Sequence, residues 1–244
     1  MSKFGLIGKN IAYSFSRAYF KEKFAKENLP HEYVNFDIAS IDEFQNILKE
    51  NSNINGFNVT IPYKETIIPH LDKLNKKAKL IGAVNTIRIN KKGKLVGHNT
   101  DYYGFKKSIK PYLKSHHKKA LILGTGGASK AIAFALDSLE IEYDYVSRNI
   151  SKKSNYNYNS LSQNTLKEYQ IIINSTPLGT FPNVNDYPKI PYNAITSDHL
   201  LYDLIYNPSE TKFLSFGKQF GAQTCNGLKM LELQAEKSWR IWNK

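Results

Sequence analysis

Residues 120–123 are uninterruptedly apolar, Gly124-Thr125-Gly126-Gly127-Ala128-Ser129 follows without a spacer, and residues 129–139 carry helical periodicity. That order commits the chain to a strand, a tight turn and a helix in succession, the opening of a parallel α/β sheet. Small residues at such a turn let backbone amides approach a pyrophosphate at the positive end of the helix dipole. Gly124, Gly126, Gly127 and Ala128 are therefore candidate dinucleotide contacts, and Ser129 stands where the usual third small residue is Gly or Ala.

Apolar runs at 141–146, 171–174 and 200–204, separated by polar or helical stretches, extend the same sheet. In dinucleotide folds the end of the next strand reads the adenosine ribose, an acid favouring NAD and an arginine the 2′-phosphate of NADP. Here that strand ends Val146-Ser147-Arg148-Asn149, so Ser147 and Arg148 point to NADP, with Lys152 or Lys153 adding positive charge. Asp144 lies earlier in the strand and is expected to point elsewhere. Residues 151–164, rich in Ser, Asn and Tyr, read as exposed.

The first hundred residues carry their own α/β pattern: strands at 3–7, 33–36 and 56–61, a basic helix at 16–28 with Phe20 and Phe24, and a hairpin of 84–90 with 94–97. Ser40 and Glu43 form a capping box ahead of Phe44, Ile47 and Leu48. At the other end Leu228, Leu231, Ala235, Trp239 and Trp242 recur at helical spacing, the tryptophans as core residues.

Composition narrows the function class. No apolar run reaches the ~18 residues of a membrane span, and the single cysteine, Cys225, can form neither an internal disulfide nor a cysteine-based zinc site. Both features point to a reducing cytoplasm. The balance of 34 Lys and Arg against 21 Asp and Glu, +13 overall, favours anionic partners. Such partners range from nucleic acid to a phosphorylated cofactor or carboxylate substrate, and charge alone does not choose among them. Aromatic residues are not interleaved with the basic ones as in RNA-binding surfaces, so much of the lysine reads as a solvated face, and neither nucleic acid nor a membrane is the expected partner.

Ser14 and Ser16 follow the first strand, Asn58 and Thr60 alternate with Phe57 and Val59, and Lys64 comes just after Pro62. Asn85 and Thr86 interrupt an apolar run, and Asn99, Thr100 and Asp101 follow Gly97. Each alone has a structural explanation as a helix cap, a polar strand position or a carboxylate at a helix N-terminus. Together they outline a pocket of hydroxyls and amides with one lysine and one aspartate.

With these motifs in order, the chain resembles the shikimate and quinate dehydrogenase family. The resemblance is collinear over nearly the whole length and rests on residues 8–16, Asn58-Val59-Thr60-Ile61-Pro62-Tyr63-Lys64, Gly82-Ala83-Val84-Asn85-Thr86 and Gly97-His98-Asn99-Thr100-Asp101-Tyr102-Tyr103-Gly104. It continues through the glycine turn, Asn174-Ser175-Thr176-Pro177-Leu178-Gly179, Asp203-Leu204-Ile205-Tyr206-Asn207-Pro208 with Thr211, and Asn226-Gly227-Leu228 with Met230, Leu231, Gln234 and Ala235.

The resemblance implies a two-domain α/β fold: a substrate domain over 1–100, a Rossmann-type NADP domain over 101–225, and a C-terminal helix, 226–244, returning to the substrate domain. It implies NADPH-dependent, reversible reduction of 3-dehydroshikimate to shikimate in aromatic amino-acid biosynthesis, by a monomer or homodimer. Carried over residue by residue, Ser14, Ser16, Thr60, Asn85, Asp101 and Gln234 would bind the substrate's carboxylate and hydroxyls, and Lys64 and Asp101 would form the catalytic pair. Gly124, Gly126, Gly127, Arg148, Thr176, Tyr206, Gly227 and Met230 would surround NADP, with Tyr206 also approaching substrate.

The chemistry of the pair stands on its own. Hydride delivery to a ketone creates alkoxide character, which a cationic donor such as Lys64 stabilises and protonates. Asp101 can hold the ammonium, and no metal is required. The chain departs from the family at Tyr13, Arg17 and Phe20, where His, Pro and His are frequent. The alternatives are a quinate-accepting, NAD-preferring relative and a noncatalytic NADP sensor or nucleic-acid-binding protein on the same fold; retention of Lys64 and Asp101 argues against the latter.

Overall fold

The computed structural model describes residues 1–12, 14–150 and 154–244. Tyr13, Lys152 and Lys153 lie outside the described residues. The chain divides into two units, residues 1–101 with 234–244, and residues 102–233.

In the first unit, β1 (Ser2–Gly8), β2 (His31–Asp37), β3 (Ile54–Val59), β4 (Lys73–Leu74), β5 (Thr86–Ile89) and β6 (Leu95–His98) form one sheet in the order β2-β1-β3-β5-β6-β4. β1 runs parallel to β2 and β3, whereas β5 and β6 are the expected antiparallel hairpin. The unit's helices are α1 (Phe15–Lys26), α2 (Phe44–Glu50) and α3 (Lys76–Ile81). α1 starts where Ser14 accepts from the Arg17 N–H, and its Phe20 and Phe24 are buried. Phe20, at the departure from the family, stacks on Tyr33 with ring centroids 4.7 Å apart, so an apolar residue there is explained by packing. Arg17 is exposed. The capping box of Ser40 and Glu43 closes on a short 3-10 turn, Ile41–Glu43, directly ahead of α2.

The second unit carries β7 (Lys119–Leu123), β8 (Glu142–Ser147), β9 (Tyr156–Asn157), β10 (Ile171–Asn174), β11 (Leu200–Asp203) and β12 (Gln223–Cys225), all parallel, in the order β12-β11-β10-β7-β8-β9. Its strands alternate faces: Ile122, Ile171, Ile173 and Tyr202 face one apolar cluster, while Leu121, Leu123, Ile172 and Leu201 face the other. Strand order reverses between β7 and β10, which makes the segments leaving those two strands the crevice where such sheets bind ligands. Helices α5 (Gly127–Asp137), α6 (Gln163–Lys167) and α7 (Lys212–Gln219) complete it.

Both unit boundaries fall at or inside helices: Asp101 opens α4 (Asp101–Ile109), and Gln234 lies within α8 (Leu228–Trp242). Residues 234–244 belong to the first unit. There Trp242 stacks on Phe4 at 4.8 Å and donates its indole N–H to the Ile87 carbonyl at 3.0 Å, a core position. The stretch expected to be exposed is corrected in part: Ser154 and Leu161 are buried, Ser154 lying 2.9 Å from Ser147 Oγ and Leu161 joining an apolar cluster. Among the described residues no helix is long and apolar enough to cross a membrane.

Candidate active site

Lys64 lies in the turn after β3, where Tyr63 is pinned by its hydroxyl to the Ile38 carbonyl at 2.7 Å and the Lys64 carbonyl accepts from the Val84 N–H at 2.7 Å. Asp101 opens α4, where a carboxylate complements the helix dipole. Lys64 Nζ donates to Asp101 Oδ2 at 2.7 Å, with side-chain exposures of 14% and 5%. An ion pair this sheltered is screened little by solvent, so its mutual orientation is tightly held.

Asn85 organises the rest. Its Nδ2 lies 2.8 Å from Asp101 Oδ1, 2.8 Å from Gln234 Oε1 and 3.0 Å from Thr100 Oγ1, while its Oδ1 accepts the Thr100 N–H at 2.6 Å. An amide has two N–H bonds to give, so Asp101 and Gln234, the nearer acceptors, take them. The Thr100 hydroxyl donates back to Asn85 Oδ1 at 3.2 Å. Gln234 therefore turns its carbonyl inward and keeps its Nε2 donors for another partner. Lys64 likewise has ammonium hydrogens beyond the one given to Asp101. The cluster thus presents a cation, an amide donor and a carboxylate edge, a set suited to a small polar ligand with hydroxyl groups.

Behind it runs a buried second layer. Thr86 Oγ1 lies 2.8 Å from Ser238 Oγ, and Asn58 Nδ2 donates to Ser238 Oγ at 3.1 Å. Tyr33 donates its hydroxyl to Asn58 Oδ1 at 2.8 Å, and Ser16 is a hydrogen-bonding neighbour of that hydroxyl. Burial raises the Tyr33 phenol far above its usual range, so it acts as a neutral donor. Ser14, the N-cap of α1, donates to Asn35 Oδ1 at 3.0 Å. Thr60 is half-buried at the end of β3, and its methyl fills the space beside Gly8, where a Cβ would come within 2.5 Å. Ser238 and Tyr33 were not legible as site residues. The usable signal for Ser238 was its place one turn beyond Gln234 on the same helix face.

In the second unit, Gly124 has φ +103°, which favours glycine, and a Cβ there would meet Ser175 Oγ at 3.0 Å. Gly126 is the N-cap of α5 and makes no side-chain cap. A Cβ on Gly126 would meet nothing within 4 Å, so the protein's own packing does not require glycine there. The open cradle and the uncapped amides of Gly127 and Ala128 fit a dinucleotide pyrophosphate. Ser129 is buried, and its hydroxyl donates to the Gly126 carbonyl at 2.7 Å, which explains how a serine replaces the usual small residue.

Arg148 follows β8 and is exposed, its charge near the Tyr158 phenol, which burial pushes up to about 12. Asp144 is engaged elsewhere: Tyr169 donates to its Oδ2 at 2.6 Å and Asn155 to its Oδ1. Ser147 donates to the Asn149 carbonyl. Thr176 follows β10, its hydroxyl donating to Asn174 Oδ1 at 2.7 Å. Tyr206 follows β11, half-buried, with its phenol raised by burial. Met230 is buried in the apolar cluster with Tyr202 and Cys225. Gly227 has a reason within the protein itself, because a Cβ there would lie 2.0 Å from the Leu204 carbonyl oxygen.

Comparison with known proteins adds to this geometry. The family model described as shikimate dehydrogenase substrate binding domain matches residues 6–87. A shikimate dehydrogenase (NADP(+)) of Clostridium botulinum is 41% identical over 248 residues, covering 98% of this chain and 95% of that one. Among solved structures, shikimate dehydrogenase 1 of Peptoclostridium difficile superposes with a TM-score of 0.86 at 40% identity, covering 100% of this chain and 92% of its own. The Thermus thermophilus shikimate 5-dehydrogenase, solved in complex with NADP(H) and shikimate, gives 0.87 at 29% identity, covering 99% and 93%.

Proposed function

This chain belongs to the shikimate dehydrogenase family, and on that premise we propose that it reduces 3-dehydroshikimate to shikimate with NADPH, reversibly, in aromatic amino-acid biosynthesis. The observation that carries the reading is the 2.7 Å pair of Lys64 and Asp101, sheltered and flanked by Asn85 and Gln234. Ser14, Ser16, Thr60, Asn85, Asp101 and Gln234 bind the substrate's carboxylate and hydroxyls, with Tyr206 a further substrate contact. Gly124, Gly126, Gly127, Ala128, Ser147, Arg148, Thr176, Tyr206, Gly227 and Met230 hold the cofactor. When bound, NADPH supplies the hydride.

Lys64 Nζ would give a proton to the substrate's carbonyl oxygen as negative charge develops on it. Asp101 holds the ammonium in line and accepts from a ring hydroxyl. In the oxidative direction the same nitrogen would take the hydroxyl proton. Stabilising charge that develops only in the transition state is how such a donor accelerates the reaction. Arg148 recognises the 2′-phosphate and sets the preference for NADP. The enzyme is cytoplasmic, a monomer or homodimer, with small molecules as its partners.

The test is NADPH absorbance with purified protein, shikimate and NADP, repeated with NAD and with quinate. Rapid NADP reduction by shikimate, lost in Lys64→Ala, is expected. Faster turnover with quinate and NAD would replace the reading with its nearest relative; silence from a folded, NADP-binding protein would leave a sensor.

A further inference from the structure

One buried carboxylate outside the catalytic cluster connects the segments that leave adjacent strands of the second sheet. Asp203 closes β11 with no exposed surface, and among the described residues no cation pairs with it. Its partners are neutral donors: Asn174 Nδ2 to Oδ1 at 3.1 Å, the Ile205 N–H to Oδ1 at 3.0 Å, and the Thr211 hydroxyl to Oδ2 at 2.6 Å. Every approach is a donor, so the site is built for the ionised form, although burial pushes its pKa up to about 6.

The consequence passes through Asn174. Its Nδ2 is committed to Asp203 and to the Leu178 carbonyl at 3.3 Å, so its Oδ1 must face Thr176. Both the Thr176 N–H, at 3.1 Å, and its hydroxyl, at 2.7 Å, donate to that oxygen. Thr176 Oγ1 in turn accepts the Leu178 N–H at 3.2 Å. This fixed loop lies against the glycine turn: a Cβ on Gly124 would come within 3.1 Å of Thr176 Cγ2, and Ser175 Oγ donates to the Leu123 carbonyl at 2.6 Å.

We propose that Asp203 is a positioning residue for the cofactor: through the Asn174 amide it holds the Thr176 loop against the Gly124 turn, and NADP affinity depends on that hold. The inference rests on the assignment of Thr176 and the glycine turn to NADP. The competing role is purely architectural, because the Thr211 hydroxyl bound to Asp203 is also the N-cap of α7. Because the one Thr211 hydroxyl serves both Asp203 and the cap, the architectural role is separated by a change elsewhere in α7, at Phe213, which is buried in an apolar cluster.

Asp203→Asn keeps size but replaces a charge-assisted acceptor facing Asn174 by a neutral one, while Phe213→Leu loosens α7 in its apolar cluster and leaves the three donors to Asp203 in place. Asp203→Asn is expected to raise KM for NADP about tenfold, the scale of one charge-assisted bond, with KM for shikimate within about twofold of wild type. Phe213→Leu is expected to lower Tm and leave both KM values in place. An unchanged NADP KM in Asp203→Asn, or an equal rise in Phe213→Leu, overturns the proposal.

If Asp203→Asn does not fold, the wild type is titrated with NADH, which lacks the 2′-phosphate whose own ionisation falls near pH 6. The titratable groups facing Asp203 are Tyr192 and Tyr202, both raised by burial and neutral in this range. NADH affinity is expected to weaken as pH falls through about 6, and a flat profile overturns the proposal. An inactive wild type would instead remove the functional reading itself; an active one with an unmoved Asp203→Asn removes only the positioning role.

Discussion

The polar cluster around Asn85 and the turn around Gly126 achieve recognition by opposite means. The cluster is all side chain: Lys64, Asp101, Gln234, Thr100 and Ser238 are interlocked, and most of their hydrogen-bonding capacity is already used inside the protein. The turn is all backbone: its value lies in a Cβ that is missing and amides that nothing caps. Deleting a group should therefore cripple the first region, and adding one should cripple the second. In the first, catalysis depends on a few donors left over after the internal bonds are made. In the second, the protein alone is indifferent to the change, and only the ligand detects it.

The largest break is Lys64→Ala. A positioned acid or base contributes roughly a hundred- to ten-thousandfold, so turnover should fall by that factor while NADPH affinity, measured by fluorescence titration, stays near wild type. Because the deletion leaves Asp101 buried without its cation, a destabilising change, Lys64→Met should be measured beside it to keep the space filled. Normal turnover in either folded variant would remove Lys64 from the proton path.

Next comes the converse experiment at the turn. Gly126 has φ −76° and ψ −176°, which any L-residue adopts, and open space where a side chain would stand. Gly126→Val should lower Tm by no more than a few degrees, the cost of a poorer N-cap residue on α5, yet raise KM for NADP more than about tenfold by occupying the pyrophosphate cradle. Gly217→Ala should do the reverse and lose stability with KM for NADP unchanged, because its Cβ would lie 2.5 Å from Leu201 Cδ2 in the core. If both glycines respond alike, the distinction between a ligand cradle and a packing glycine fails.

The same contrast governs what could be read before any coordinates. The turn was legible from local order, since a strand, glycines and a helix in direct succession have few other uses. Asn85, Asp101 and Gln234 became legible only as members of ordered motifs, because an asparagine before a strand or an aspartate opening a helix has a local explanation of its own. Ser238 and Tyr33 escaped entirely: hydrogen bonds between residues 180 positions apart, as between Asn58 and Ser238, leave no local pattern. The partly buried stretch beyond residue 153 was misjudged for a related reason, since Leu161 is an isolated apolar residue in polar text whose burial depends on a distant cluster.

A smaller effect is expected at Arg148. It is exposed, and a charge-assisted contact to phosphate is worth a few kcal/mol at most, less in solvent. Arg148→Ala should lower the ratio of kcat/KM for NADP over NAD by about tenfold without changing kcat for either. A preserved ratio would move 2′-phosphate recognition to other residues.

The smallest effect concerns acid stability and separates the units once more. The Asn85 cluster contains no histidine, but the strand register sets His98 directly across from Thr86. Its Nε2 is buried without a partner, and burial, reinforced by Arg88, Lys244 and Lys237, pushes its pKa down to about 4. The unfolded chain, with a histidine near 6.5, takes the proton first. Stability is therefore full above about pH 6.5 and is lost as pH falls toward 4, with a ceiling of about 1.4 kcal/mol per pH unit for one proton. Asp203, raised to about 6, acts in the opposite sense, its contribution present below the ordinary carboxylate range and lost as pH rises through 6. His98→Gln should flatten the pH slope of urea unfolding between those limits for the first unit and leave the second unit's response in place. Equal slopes in variant and wild type would mean that the ring finds a proton as easily folded as unfolded, and that the orphaned nitrogen has a partner in solution.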